Sequence, residues 1–218
     1  MLTNLFSSFD PSTTWKMQIN WISMIIILFL LPNKMWVKES RNSIMKLIFL
    51  KKIYMEMSFI YKNKQMKKIL TALFMFILIS NLMGLIPYVF TPTSHLTISI
   101  SMAFPLWISL MTFGWTNHTN FMFSHLLPMN TPLLISPFMI MVESISNLIR
   151  PISLAVRLTA NMIAGHLLMT LLGNINSIKI IWLILFLQMM MLLFEMAVSM
   201  IQAYVFTILM TMYSSEIP

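Results

Sequence analysis

Cysteine is absent from this 218-residue chain, and both glycine and charged residues are scarce. Without cysteine the chain can form neither a disulfide nor a thiolate metal site, so cysteine usage says nothing about the redox state of its compartment. The 4 glycines form no phosphate-binding loop, which argues against nucleotide chemistry on this chain. Only 9% of the residues are charged, whereas soluble domains carry about a quarter. This shortage argues against a soluble domain.

Hydrophobic residues are abundant instead, at 58% of the chain, and the mean hydropathy is +0.83. The apolar runs are long and lack the alternation of barrel strands, so helices are the expected spanning elements. We therefore predict an all-α polytopic membrane protein that forms a single membrane domain over residues 1–218, without an internal repeat. The first fifteen residues have no basic region and no small-residue cleavage site, so we expect no removable signal there.

The apolar runs predict about five membrane helices and one amphipathic surface helix. The last two membrane helices are long, and a short polar turn joins them into an antiparallel hairpin. The predicted elements are spans at 15–31, 69–90 and 96–115, a surface helix at 40–62, and long tilted helices at 133–172 and 178–213.

Positive charge is concentrated in one segment, because ten of the 14 Lys and Arg residues lie between Lys34 and Lys68. The segment joins two apolar runs, so the positive-inside rule explains it better than nucleic-acid binding, and we expect no nucleic-acid partner. This segment mixes apolar and basic residues at helical spacing, which favours an amphipathic helix lying on the membrane surface. A disordered basic loop is the alternative.

Several polar residues lie in the apolar stretch from Glu143 to Leu172. A charge at the bilayer centre costs about 2.5 kcal/mol or more, so such residues are candidates for function. On a helix, Arg150, Glu143 and Asn161 fall within about 40° of Arg157 and form one polar stripe. A flanking stripe of small residues would let another helix approach closely, and Pro151 should kink the helix. The small residues are Ser146, Ser153, Ala160 and Ala164.

The last helix carries polar residues at seven-residue intervals: Gln188, Glu195 and Gln202. Facing residues of an antiparallel hairpin have a constant sum of residue numbers, and this rule pairs Arg157 with Gln202 and His166 with Glu195. His95, His118 and His125 lie in or beside loops without metal-ligand spacing. We expect structural or interfacial roles for these three histidines.

The segment SLAVRLTANMIAGHLL, preceded by ESISNLIRP and followed by AVSMIQAYVFTIL, closely resembles subunit a of the F-type ATP synthase in its mitochondrial form. SSFDP, NLMGLIPY and HLLPMNTP fit the same family, so the resemblance covers nearly the whole chain. It implies a non-catalytic stator subunit that conducts protons through two offset half-channels beside a rotating ring of c subunits. The implied proton-translocation residues are Arg157, Gln202, His166, Glu195, Asn161 and Glu143.

The resemblance also implies the surroundings of the chain. The expected partners are the c-ring, the peripheral-stalk and other membrane subunits of the ATP synthase, the lipid bilayer and protons, and no cofactor is expected. The implied location is the mitochondrial inner membrane, with the N-terminus on the intermembrane-space side and the 34–68 segment on the matrix side. The long hairpin would lie strongly tilted against the ring.

Arg150 departs from the family pattern, since many mitochondrial forms have a neutral residue there. Two readings of it are open: it pairs with Glu143 and tunes the exit channel, or it has a structural or lipid-headgroup role. Two alternatives for the chain as a whole are a secondary ion or metabolite transporter and a non-catalytic structural subunit of a respiratory complex.

Overall fold

A computed structural model describes residues 5–12, 18–30, 37–61, 63–87, 89–127, 132, 134–174 and 181–217. Within these ranges the chain is helical and has no strand, which confirms the predicted all-α membrane class. The described residues form seven α-helices, together with short 3-10 turns at Leu5–Phe9, Ile19–Trp21 and Pro92–Ser94. The helices are α1 (Ile22–Leu30), α2 (Arg41–Ile60), α3 (Lys64–Gly84), α4 (Leu96–Asn117), α5 (Thr119–His125), α6 (Ser136–Gly173) and α7 (Ile181–Ser215).

Four of these helices, α3, α4, α6 and α7, are long and apolar enough to cross a membrane. The predicted first span, 15–31, falls partly outside the described residues, because only residues 18–30 of it are described. Inside them, Ile19–Trp21 forms a 3-10 turn, and α1 begins only at Ile22. The described part of α1 has 9 residues, so its crossing of the membrane stays a prediction.

The basic segment is helical over Arg41–Ile60, which rules out the disordered loop for those residues. Ser40 caps this helix by accepting a hydrogen bond from the backbone N–H of Ser43. The next helix begins at Lys64 and not at the predicted 69, because the Asn63 side chain caps it by accepting from the Gln65 N–H.

Helix α3 also ends earlier than predicted, at Gly84 and not at 90. Pro87 disfavours the helical conformation of the residue before it, and the chain turns there. The predicted span 96–115 corresponds to α4, which extends to Asn117. The following segment, predicted as a loop, contains the short helix α5.

The long hairpin agrees with the prediction, with α6 and α7 having 38 and 35 residues. A helix of 38 residues is about 57 Å long, while the hydrocarbon core of a bilayer is about 30 Å thick. Helices of this length fit a membrane only when they tilt or project from it. Pro151 lies inside α6 and is buried.

The core lies where α3 packs against α7 and α4 packs against α6. Ala155 of α6 and Ala203 of α7 are fully buried in it, as is Ile77 of α3. Small residues at such contacts let helix backbones approach closely, which is how helices associate in lipid. Large apolar side chains elsewhere on α6 and α7 remain exposed on this single chain, among them Leu148, Trp182 and Phe194.

Candidate functional site

Helix α6 presents its polar stripe on the side that the rest of the chain leaves open. Its buried face consists of Pro151, Leu154, Ala155, Leu158, Thr159 and Met162. Arg157 and Asn161 lie on the exposed side. The predicted small-residue stripe is uncovered at Ser153, Ala160 and Ala164 within the described residues, so the close approach it permits is available to another chain.

Gln202 of α7 reaches across the hairpin to Arg157. Its side-chain amide donates a hydrogen bond to the backbone carbonyl of Arg157, as the hairpin pairing predicted. Gln202 is 5% exposed, and its amide oxygen is buried without a hydrogen-bond partner among the described residues. Gln202 therefore joins the two helices at the level of the arginine.

The Arg157 guanidinium makes no hydrogen bond or ion pair within the described part of the chain. Arg157 lines a small crevice between α6 and α7, and the apolar side chains of Leu154, Val205 and Phe206 line the same crevice. An unpaired positive charge among apolar groups is costly in a membrane unless a counter-charge approaches it. This arrangement suits a carboxylate brought in by another subunit.

A cavity of about 500 Å³ lies beside the C-terminal half of α6, and we call it the His166 cavity. Its lining includes His166 and Thr170 of α6, Glu195 of α7, and residues of the segment that follows α3. A cavity needs only about 10–15 Å³ of such volume to hold a water molecule, so this one is roomy enough for a chain of waters.

His166 and Glu195 line this cavity together, but no hydrogen bond or ion pair joins them within the described ranges. The His166 Nε2 and one Glu195 carboxylate oxygen are both buried without a hydrogen-bond partner among the described residues. Glu195 packs against Gly165, where an added Cβ would lie 2.9 Å from the carboxyl carbon. The predicted pair thus shares a cavity without direct contact, because the Glu195 side chain lies on the glycine next to the histidine.

Glu195 also lines a second cavity, of about 280 Å³, in the groove between α6 and α7. Asn161, Gly165 and Ser199 contribute to its walls, together with apolar side chains of both helices. Asn161 is one helical turn from Arg157. The Glu195 side chain therefore borders both the His166 cavity and the groove that contains Asn161.

In the first half of α6, Arg150 forms an ion cluster with two carboxylates. One of its guanidinium nitrogens lies 2.8 and 3.1 Å from the two carboxylate oxygens of Glu216, and another lies 3.5 Å from Glu143. The guanidinium also lies over the Tyr213 ring, 5.0 Å from its centre. Pairing with Glu143 agrees with the hypothesis drawn from the sequence. Glu216 was missed.

Glu143, Glu216 and Tyr213 line a small cavity of about 30 Å³ with Asn147 and His125. The only sequence signal for Glu216 was a carboxylate at the end of an apolar helix, and nothing in its neighbours ties it to Arg150.

Along α6, Glu143 and His166 lie about 21 and 14 Å from Arg157 in opposite directions. Two polar cavities thus flank the arginine. Among the described residues no group of three or more metal-ligating side chains is present.

Comparison with known proteins identifies the family. The ATP synthase A chain family model matches residues 17–215. ATP synthase subunit a of Drosophila melanogaster is 48% identical over 223 residues, and that of Locusta migratoria is 48% identical over 224 residues. ATP synthase subunit a of Anopheles gambiae is 48% identical over 225 residues, and all three comparisons cover 100% of both chains. The chain belongs to the ATP synthase subunit a family.

Membership of this family settles the general function: the chain forms the proton channel in the membrane sector of an ATP synthase. It is a multi-pass inner-membrane protein that works in a complex with other membrane-embedded subunits. The comparisons support neither the secondary transporter nor the structural subunit of a respiratory complex. The resemblance read from the sequence motifs is confirmed.

Proposed function

We propose that the chain moves protons through two offset half-channels to a rotating c-ring, and so couples a proton gradient to ATP synthesis in a separate soluble sector. Arg157, Asn161 and Gln202 would lie at the ring, His166 and Glu195 on the uptake path, and Glu143 and Arg150 on the exit path. The chain itself would be the non-catalytic stator. The two separate cavities on opposite sides of Arg157 support this division.

The uptake path would begin in the His166 cavity. A proton would move along cavity waters to His166 and Glu195, and from Glu195 into the groove that contains Asn161. The position of Glu195 in the walls of both spaces supports its role as the carrier between them. A ring carboxylate that reaches this groove would take up the proton and, being neutral, could move into lipid.

Arg157 would separate the two paths electrostatically. A fixed positive charge stabilises the ionised form of a ring carboxylate that arrives from the other side, so that carboxylate releases its proton to the exit path. The same charge opposes the passage of protons directly from one path to the other. Two observations support this role: the exposed guanidinium has no hydrogen bond or ion pair within the described part of the chain, and the Gln202 side chain holds the Arg157 backbone to α7.

The exit path would pass the cluster of Glu143, Arg150 and Glu216. The exit path would open to the mitochondrial matrix and the His166 cavity to the intermembrane space, with the N-terminus on the latter side. The basic helix α2 would then lie on the matrix-side membrane surface, as the positive-inside rule requires. The c-ring, the peripheral stalk and the lipid bilayer are the proposed neighbours of the exposed apolar faces.

The observation that carries this proposal is that Arg157 is exposed, has no hydrogen bond or ion pair among the described residues, and lies between two cavities that carry titratable side chains. Its test is Arg157→Ala in the assembled ATP synthase, with ATP-driven proton pumping as the readout. We expect assembly to persist and pumping to be lost. Arg157→Lys should also fail to restore normal pumping, because a lysine charge is compact and lacks the planar fork of arginine.

Ser153→Ala is the matched control, since Ser153 lies on the same exposed side one turn away and its hydroxyl bonds only within α6. It should pump normally. Coupled pumping at the normal rate in Arg157→Ala would overturn the proposed role of the arginine.

A further inference from the structure

The N-terminal segment of the chain forms part of the His166 cavity, although it lies outside the membrane helices. Residues Ser7, Ser8, Phe9, Asp10 and Ser12 all line the cavity, and Asn20 lines it next to them. The segment supplies polar side chains to the cavity wall, and those of Ser8, Asp10 and Ser12 are exposed, while His166 and Thr170 supply polar groups from α6. The family motif around Arg157 gives no reason for this arrangement.

Three contacts hold the segment at the cavity. The His95 imidazole Nε2 lies 3.0 Å from the backbone carbonyl oxygen of Phe9, and the Phe9 ring meets the His166 ring edge-on at 6.0 Å. The Asn20 side chain donates a 3.3 Å hydrogen bond to the backbone carbonyl of Asp10. The segment is therefore tied to the start of α4, to α6 and to the residues before α1.

His95 is itself held in place by aromatic rings. Its ring centre lies 5.1 Å from that of Trp21 and 5.4 Å from that of Phe90. These ring contacts support the position in which His95 presents Nε2 to the Phe9 carbonyl. The chain thus has a preformed anchor for the backbone next to Asp10.

Asp10 is the only aspartate in the sequence, and its side chain is exposed where it lines the cavity. The other titratable groups among the described lining residues are His166 of α6 and Glu195 of α7, which are partly buried, whereas Asp10 is exposed to solvent. A cleft that bears negative charge raises the local concentration of cations and speeds their arrival. For a proton path, such a charge is most useful at the outer end.

We propose that Asp10 is the outer proton-collecting carboxylate of the uptake path, and that His95 is the positioning residue that holds it at the cavity by binding the Phe9 carbonyl. The ionised Asp10 carboxylate takes a proton from bulk water and becomes a neutral carboxyl. It then gives the same proton to a cavity water and is ionised again, with no change in electrons. This assignment rests on the proposed use of the His166 cavity for proton uptake.

The test is Asp10→Asn in the assembled ATP synthase, with passive proton flux through the membrane sector measured at several proton concentrations and salt concentrations on the uptake side. Asparagine keeps the size of the side chain, and the backbone carbonyl bound by Asn20 is untouched, so the fold should persist. We expect flux to fall about two- to threefold at low proton concentration and low salt, because attraction by one charge is lost. The difference in flux should disappear at high salt, because the Debye screening length falls to about 3 Å at 1 M and the Asp10 charge then no longer attracts cations from a distance.

Asp10→Glu should restore the flux, and Glu39→Gln, which removes one negative charge outside this cavity, should leave it unchanged. If Asp10→Asn matches the unmodified protein at every proton and salt concentration, the proposal is wrong. A reduction that is equal under all conditions would also overturn it, because that result marks a structural role. Neither outcome affects the separate Arg157→Ala test of the proposed function.

The positioning role of His95 has its own readout. Because the chain has no cysteine, Met169→Cys introduces the only thiol of this subunit, inside the His166 cavity. We expect His95→Ala to raise its labelling by a membrane-impermeant maleimide at least threefold and to reproduce the flux defect of Asp10→Asn. His95→Gln keeps a side-chain hydrogen-bond donor, so its increase in labelling and its loss of flux should both be smaller than those of His95→Ala. Unchanged labelling and flux in His95→Ala would exclude His95 as the anchor.

Discussion

Arg150 and Glu216 are 66 residues apart in the chain and form an ion pair with a nitrogen–oxygen distance of 2.8 Å. The pair joins the first half of α6 to the last residues after α7, and Glu143 completes the cluster at 3.5 Å. Arg150 therefore bridges two carboxylates in the first half of α6, while His166 lies in the second half.

The first prediction concerns this ion cluster. The Arg150 and Glu216 side chains are 25% and 41% exposed, so their pairing should contribute only about 0.2–1 kcal/mol to stability. Arg150→Gln should therefore assemble normally but slow ATP-driven proton pumping, because Glu143 and Glu216 lose their common partner. Unchanged pumping in Arg150→Gln would leave the arginine a structural or headgroup-binding role.

The charge-swapped double variant Arg150→Glu with Glu216→Arg provides the matched comparison. It rebuilds the pair, but it leaves Glu143 beside a second carboxylate, so we expect it to pump better than Arg150→Glu alone and less well than the unmodified protein. Equal pumping by the single and double variants would mean that the contact between positions 150 and 216 does not matter for function.

The second prediction tests the contact between Gly165 and Glu195. In Gly165→Ala, the new Cβ would lie 2.9 Å from the Glu195 carboxyl carbon and 3.0 Å from one of its oxygens, so the carboxylate must move. Crowding of this kind typically costs about 1–3 kcal/mol, and the displaced Glu195 should conduct protons more slowly. We expect reduced proton flux in a complex that still assembles.

Gly173→Ala is the control on the same helix. Among the described residues its added Cβ would meet only the Gln188 amide nitrogen, at an ordinary contact distance of 3.6 Å, so flux should remain normal. If both alanine variants conduct protons equally well, Glu195 does not need the position that the glycine allows.

The third prediction concerns the hydrogen bond between Gln202 and the Arg157 backbone. Gln202→Leu keeps a side chain of similar size but removes the donor, and such a bond typically contributes about 0.5–1.5 kcal/mol. We expect a lower rate of ATP-driven proton pumping, because the arginine is less firmly placed, together with retained assembly. Val205→Leu, a nearby apolar change on α7, serves as a control for altered packing and should pump at close to the normal rate.

Normal pumping in Gln202→Leu would show that the arginine is placed by other contacts. Gln202→Glu separates geometry from charge, since it keeps the length of the side chain but puts a carboxylate near Arg157. We expect it to impair pumping more than leucine does, because the guanidinium would then have a permanent counter-charge and would compete less well for a carboxylate of the ring.

Much of the fold followed from local patterns in the sequence. The apolar runs identified α3, α4, α6 and α7, and the hairpin rule identified the facing of Arg157 and Gln202 across the last two helices. Helix ends were less accurate. Helix α3 begins at Lys64, five residues before the predicted start, because the Asn63 side chain caps it. Capping depends on a single side chain, which the periodicity of apolar residues does not reveal.

The site was only partly predictable. The polar stripe on α6 follows from helical periodicity, and so does its exposure, because charged residues avoid the buried face. Glu216 could not be found, since it lies in a short polar stretch without a spacing pattern. The segment from Leu5 to Ser12 was also missed as part of a cavity, because its contact with His95 joins residues 86 apart in sequence.

The sequence by itself determined that this chain is a helical membrane protein of the ATP synthase subunit a family, with costly charges kept on one face of a long helix. Periodicity and hydropathy are local properties, so the order of residues is enough to establish them. The tertiary structure decided which distant groups meet: Arg150 with Glu216, Glu195 with Gly165, and Asp10 with the cavity of His166. Those contacts depend on how whole helices pack against one another, and packing is set by side-chain shape across the entire core.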